Sequence, residues 1–243
     1  MRIPRIYVNE SLSIGSEFVL PKDATRHLIS VLRLKVGQSV TIFNGEGGEY
    51  TGSLINANKN NSTISINQFL AVERESKLKT HLAIGVSRGD RMDWIIQKTT
   101  ELGVTEITPI FTERTEVKLS GSRLEKKLSH WQQIAISSCE QNQRNFIPSI
   151  NKTLSFSNWI ESNPNGLKLL MHHQSNSGLS ELSPKEDKMV LMVGPEGGLS
   201  DAEISTAKAA GYYSISMGPR ILRTETAPIA ALSILQSLWG DMI

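Results

Sequence analysis

The sequence predicts an α/β protein whose main part is a parallel sheet with helices on both faces, preceded by a small, mostly antiparallel β-barrel domain. Three observations predict it. Up to residue 70 the chain is a series of short β-branched and aromatic runs separated by turn residues. From His81 onward, strands alternate with helical periods, the pattern of a parallel sheet. Between the two, residues 71–79 (AVERESKLK) are charged and aperiodic, so a domain boundary falls there, giving expected domains of 1–72 and 73–243.

In the first part, strands are expected at 6–8, 18–20, 39–43, 50–55 and 63–69, with Asn44-Gly45-Glu46-Gly47-Gly48 as a hairpin loop. One helix interrupts them: Asp23 is placed to cap residues 24–34, where His27, Leu28, Val31 and Leu32 recur at helical spacing. In the second part, 81–86 is a strand, and Asp90 is placed to cap a helix with Met92, Ile95, Ile96, Thr99 and Leu102 on one face. Gly103 follows in the position that ends helices. A strand at 105–110, a long helix at 122–141 and a short one at 156–161 come next. Strands at 167–171 and 188–193, a helix at 201–210, a strand at 213–217 and a helix at 227–239 complete the pattern.

Composition narrows the class. The chain has 243 residues, 21% charged, with a net charge of +2, which fits a globular protein and neither demands nor excludes nucleic acid. The single cysteine, Cys139, sits inside an apolar-periodic helix and reads as a core residue rather than a nucleophile. MRIPRIYVNE lacks the apolar run of a signal peptide, and no stretch approaches the ~20 apolar residues that span a bilayer. A cytoplasmic protein without membrane contact is expected. The histidines His81, His130, His172 and His173 have no metal-ligand spacing, so no metal is expected either.

The basic residues cluster. Arg2, Arg5, Lys22, Arg26, Arg33 and Lys35 crowd the N-terminal part, and Lys118, Arg123, Lys126 and Lys127 lie mid-chain. Such clusters are either solvated faces or phosphate-binding patches. Glu140-Gln-Asn-Gln-Arg144 reads as a solvated helix end, with Arg144 available to RNA.

Ligands of parallel sheets bind at the carboxyl ends of strands. Three loops therefore stand out: after Met171, after Val193 and after Met217. In the second, Gly194, Gly197 and Gly198 allow positive φ and close approach of a ligand, and Pro195 stiffens the turn. Ser200 and Glu203 form a capping box that satisfies the first donors of the next helix. That end is thus less available to a phosphate, which favours a ligand read by backbone groups, such as an adenine ring. A tight connection with no ligand is the alternative. In the third loop, Arg220, Arg223 and Glu225 surround two apolar residues just before an almost wholly apolar helix, with Pro228 in its first turn. They read either as a structural Arg–Glu pair or as a site with an acidic and a basic handle. That last helix, with Ala230, Ala231, Leu232, Leu235, Leu238 and Trp239, is apolar nearly all round and suggests a subunit interface.

GPEGGLSDAE (194–203) with MGPRILRTETA (217–227) closely resembles the C-terminal signature of the SPOUT-class RNA methyltransferases, and more narrowly that of the ribosomal RNA small subunit methyltransferase E family. The resemblance runs the length of the chain, through MRIPRIYV, HLISVLRL (27–34), SRGDRMDWIIQKTTELGV (87–104), ITPIFTERTEVKL (107–119) and EQNQRNFIP (140–148). Leu199 departs from it mildly, since many relatives carry Phe there.

The resemblance implies a PUA-like RNA-binding barrel, a SPOUT domain with a deep trefoil knot, a homodimer, and methylation of N3 of one uridine, U1498, in the 16S rRNA of the 30S subunit. It implies S-adenosyl-L-methionine as methyl donor, leaving as S-adenosyl-L-homocysteine. The donor would be flanked by Leu170, Met171 and His172, by Val193, Gly194, Glu196, Gly197 and Gly198, and by Met217, Gly218, Ile221, Leu222, Arg223, Thr226 and Ala227. Arg223 would steady charge on the uracil oxygens and Glu225, or less directly Glu196, would accept the N3 proton or balance the sulfonium. Arg5, Arg26, Arg33, Arg114 and Arg144 are the candidates for holding RNA. Two rival readings stay open: an RNA-binding protein without catalysis, and a related enzyme acting on tRNA.

Overall fold

The structure is a computed structural model that describes residues 3–58, 60–175, 178–179, 182 and 187–242. Arg2, counted above in the N-terminal basic cluster, lies outside the described residues. The chain divides into two compact units, residues 1–75 with 136–147, and residues 76–135 with 148–243.

The first unit is built on a five-stranded sheet of order β1-β3-β4-β5-β2. Its strands are β1 (Arg5–Tyr7), β2 (Glu17–Val19), β3 (Ser39–Phe43), β4 (Glu49–Asn58) and β5 (Asn61–Leu70). All pairings are antiparallel except β1 with β3, and the loop 44–48 closes the β3–β4 hairpin. Period-two alternation puts Val40, Ile42, Leu54, Ile64 and Ile66 on one buried face with Ile6, Phe18 and Leu28. Each such side chain, fully buried, contributes roughly 1.5–3 kcal/mol.

Two expectations fail here. The helix after Asp23 is only α1 (Lys22–Arg26), preceded by Pro21, with no side-chain cap, and it continues as a π-helical turn over His27–Val31. The wider turn breaks the 3.6-residue period, so Leu28 is buried while Val31 and Leu32 face solvent. The second concerns residues 140–144. Gln141 and Gln143 are solvated as expected, but the two charged ends of the stretch are held within this unit: Arg144 pairs with Glu75 (Nε to Oε1, 2.8 Å), and the Tyr7 N–H donates to Glu140 (3.0 Å).

The second unit carries an all-parallel sheet of order β12-β10-β11-β6-β7-β8, with β9 also beside β7. Its strands are β6 (Lys79–Gly85), β7 (Glu106–Phe111), β8 (Ser149–Ile150), β9 (Leu154–Ser155), β10 (Leu167–Met171), β11 (Lys188–Val193) and β12 (Tyr213–Ile215). The helices are α2 (Arg91–Glu101), α3 (Gly121–Asn142, whose last turns belong to the first unit), α4 (Phe156–Glu161), α5 (Asp201–Ala209) and α6 (Thr226–Trp239). The central strands are apolar runs buried on both faces, as parallel sheets require.

Local signals explain several boundaries. Gly103 sits at φ +84 and ends α2 in a Schellman motif, with Gly103 N–H to Thr100 O and Val104 N–H to Thr99 O. The Ser200–Glu203 capping box forms in full. Asp90, by contrast, precedes α2 without a side-chain cap bond. Cys139 is fully buried, and burial pushes its thiol up to about 12, so it is a core residue.

Candidate active site

Strands β12, β10 and β11 are neighbours, and their pairing sets Met171 opposite Ile215 and Leu170 opposite Met192. Their carboxyl ends therefore finish at the same level, and the three loops that leave them converge. Around them lies a cavity of about 760 Å³, within the size range of small-molecule sites.

Of the residues expected to flank a ligand, Met171, His172, Val193, Gly194, Glu196, Gly197, Gly198, Met217, Ile221, Leu222, Arg223 and Ala227 line this cavity. Leu170 does not: it is fully buried in the core beneath the loops. Gly218 and Thr226 are also outside the lining. β12 ends at Ile215, two residues before the expected end, so Ser216 and Met217 already belong to the loop.

The 194–198 turn is held from several sides. Gly198 N–H donates to Pro195 O (2.8 Å), and Thr224 Oγ1 donates to Gly194 O (2.8 Å) from the third loop. Gly85 lets the turn approach β6, because a Cβ there would lie 2.3 Å from Pro195 N. Of the three glycines expected to allow positive φ and close approach, only Gly198 (φ +68) adopts positive φ; Gly194 and Gly197 serve close approach. A Cβ on Gly197 would lie 3.1 Å from Arg114 Cβ, and Arg114 Nη1 donates to Gly197 O (3.2 Å).

Charge at the mouth is arranged around α2. Glu196 accepts from the Arg88 N–H and from Arg91 Nη1, both at 2.8 Å. Burial pushes its carboxyl up, but the Arg88 N–H, its own N–H and Arg91 together outweigh this and leave it below the usual carboxylate range. Arg91 Nε also lies 3.7 Å from Glu225 Oε2, whose other oxygen is 4.0 Å from Arg223 Nη1. The Arg223 side chain is 81% exposed. The Glu225–Arg223 pair is thus loose, and the guanidinium is directed to solvent rather than spent on structure. Just past the end of β10, burial lowers the His172 imidazole below its ordinary value, with His173 and Lys208 adding to the effect. Among the described residues, no group of three or more His, Cys, Asp or Glu side chains could hold a metal ion.

Sequence reasoning passed over Arg91 and Thr224. Arg91 opens a helix some hundred residues before the loops it binds, and Thr224 looks like any loop hydroxyl. Of the arginines expected to hold RNA, Arg26, Arg33 and Arg114 are exposed. Arg5 and Arg144 are corrected: their guanidinium groups are buried. Arg5 donates to Cys139 O (2.7 Å) and Arg144 O (2.9 Å), contacts Asn145 and lies 3.7 Å from the Phe43 ring centroid, and Arg144 binds Glu75, so as placed neither offers charge to a phosphate.

The family described as an RNA methyltransferase domain matches residues 74–236, and that described as an RNA methyltransferase PUA domain matches residues 20–67. The ribosomal RNA small subunit methyltransferase E of Buchnera aphidicola subsp. Schizaphis graminum is 37% identical over 99% of this chain and 98% of its own length. The chain belongs to the ribosomal RNA small subunit methyltransferase E family. A solved member from Neisseria gonorrhoeae, bound to S-adenosyl methionine, superposes with a TM-score of 0.94 at 38% identity, with all of both chains covered. A Legionella pneumophila methyltransferase in complex with S-adenosylmethionine (SAM) gives 0.96 at 39%, covering 99% of this chain and 100% of its own. The small N-terminal β domain is accordingly PUA-like. Within the family, Leu199 of this chain is buried at the cavity wall and packs with Ile204 and Tyr212, where a larger side chain would press on the same core.

Proposed function

We propose that this chain is an S-adenosyl-L-methionine-dependent methyltransferase that modifies N3 of one uridine, U1498, in 16S rRNA within the 30S subunit. The observation that carries the reading is the convergence of three adjacent strand-end loops on a single cavity in a chain of this family. The cavity suits the donor chemically as well as by size. The backbone of the 194–198 turn and of Ser216, Met217 and residues 220–223 borders the space for a purine ring, apolar walls come from Met171, Leu199, Ile221 and Leu222, and the Glu196 and Glu225 carboxylates oppose a sulfonium charge. When bound, S-adenosylmethionine supplies an electrophilic methyl group on sulfur.

The chain's own groups do the rest. Arg223, little engaged in the protein, takes up negative charge developing on the uracil oxygens as N3 attacks. Glu225 accepts the N3 proton directly or through water. Holding N3 and the methyl carbon in line, so that the new C–N bond forms as the C–S bond breaks, supplies much of the remaining acceleration. The target base has to leave any stacked helix to reach the cavity.

The reading extends to the chain as a whole. Residues 1–72 serve as the RNA-binding domain and 73–243 as the catalytic one, with Arg26, Arg33 and Arg114 against the RNA backbone. The C-terminal segment is threaded as a trefoil knot, a reading that rests on the resemblance to the family; within it the Thr224 bond to Gly194 and Gln236 of α6 donating to Leu102 O tie that segment to the sheet and to α2. The protein works as a homodimer in the cytoplasm. Ile234 and Leu238 of α6, with Met242 just beyond its end, leave an apolar strip open to a second copy, and no helix among the described residues is long and apolar enough to cross a membrane. Incubation of 30S particles lacking the modification with radiolabelled donor, followed by mapping of the label, tests the reading.

A further inference from the structure

We propose that Arg91 is a positioning residue that clasps two loops of the active site at once, fixing the Glu196 carboxylate of the 194–198 turn and the Glu225 carboxylate ahead of α6 to the first turn of α2. The inference rests on the methyl-transfer reading above and deepens it.

The geometry uses two different nitrogens of one guanidinium. Nη1 lies 2.8 Å from Glu196 Oε1, and Nε lies 3.7 Å from Glu225 Oε2. A planar fork with separated donors makes both contacts from one rotamer, which a single ammonium cannot do. Arg91 is also the first residue of an eleven-residue helix, where partial positive charge adds to the attraction for both carboxylates. The Arg88 N–H shares the Glu196 oxygen, so this carboxylate is doubly held, whereas among the described residues the cations beside Glu225 are Arg91 and, at 4.0 Å, Arg223.

Two anionic loop residues facing one cavity repel each other, and without a cation between them that repulsion works against the Thr224 bond to Gly194 that joins the turn to the third loop. A site assembled in only a fraction of molecules binds its ligand more weakly by that fraction. Arg91 therefore acts on two quantities through two contacts. Its hold on Glu196 keeps the donor-binding turn in place, and its hold on Glu225 keeps the proton acceptor beside Arg223.

The test compares Arg91→Met and Arg91→Lys with wild-type protein, measuring S-adenosylmethionine affinity by calorimetry and KM and kcat for methyl transfer to unmodified 30S particles. Arg91→Met is expected to weaken donor affinity about tenfold and to lower kcat by at least as much. Arg91→Lys, able to satisfy one carboxylate, is expected to restore affinity and KM through Glu196 while kcat stays low. The Arg91 side chain is 42% exposed, so thermal unfolding is expected to be nearly unchanged in both. Combining Arg91→Met with Glu196→Gln should weaken affinity no more than the worse single change, because both remove the same contact. Wild-type affinity and turnover in Arg91→Met, or fully additive losses in the double variant, would overturn the clasp. Wild-type protein that itself fails to bind the donor would overturn the clasp and the parent reading together.

Discussion

The hydroxyl of Thr224 donates a hydrogen bond to the carbonyl oxygen of Gly194 across 2.8 Å, and both partners are buried. This one bond ties the third loop to the glycine-rich turn, thirty residues apart in sequence. Replacing Thr224 with Val keeps the shape and removes the donor, leaving a buried carbonyl without it. The expected cost is about 1–3 kcal/mol of stability, together with weaker donor binding. Chemical denaturation and calorimetry on the variant check both, and an unaltered midpoint would show that the loops are held by other means.

Gly85 makes a sharper steric case. An alanine Cβ would fall 2.3 Å from Pro195 N and 2.4 Å from Pro195 Cδ, neither of which is the free end of a flexible side chain. Gly85→Ala is expected to push the 194–198 turn away from β6, at a cost of roughly 1–3 kcal/mol. Donor affinity should fall with it. Retained affinity would mean that the turn has slack.

Arg223 separates chemistry from folding. With its side chain 81% exposed, its removal takes away little packing. Arg223→Ala should leave the unfolding midpoint within about 0.5 kcal/mol of wild type while lowering kcat by about 10²–10³. Normal turnover in that variant would remove Arg223 from the mechanism.

Glu140 gives the first unit a pH dependence. Burial pushes its carboxyl above the usual range, although the Tyr7 N–H and the nearby His27 and Arg5 pull it back. A carboxyl raised in the folded state holds its proton more tightly there than in the unfolded chain. Its contribution is therefore full below the unfolded value and is lost as pH rises through the folded one. Glu140→Gln keeps an acceptor for the Tyr7 N–H and cannot ionise. The variant should gain stability relative to wild type as pH climbs from about 4 to about 7, measured as the difference in unfolding free energy. A constant difference across that range would contradict the assignment.

Much of this arrangement was legible in the sequence because its signals are local. Gly103 ending α2, the Ser200–Glu203 box opening α5, and the apolar runs of β10 and β11 each depend on a few neighbouring residues. The rule that ligands gather at strand ends then identified the three loops, which the strand order β12-β10-β11 makes adjacent. What escaped depends on long-range contacts. Nothing near Arg91 announces two carboxylates more than a hundred residues away, and Gly85 looks like any strand glycine until Pro195 packs against it. The helical spacing of His27, Leu28, Val31 and Leu32 misled because a π-helical turn shifts the face, burying Leu28 alone. Arg5 and Arg144 misled for a different reason: charge in a sequence suggests solvent, but here Glu49, Glu75 and backbone carbonyls enclose it.

The central claim is tested most directly by offering S-adenosylmethionine labelled in its methyl group to 30S particles that lack the modification, and then locating the label by mass spectrometry of the digested 16S rRNA. The account predicts one labelled nucleotide, a uridine methylated at N3, and transfer slowed about 10²–10³-fold in Arg223→Ala protein that still binds the donor. Unlabelled particles, or a label on another base or another RNA, would contradict it.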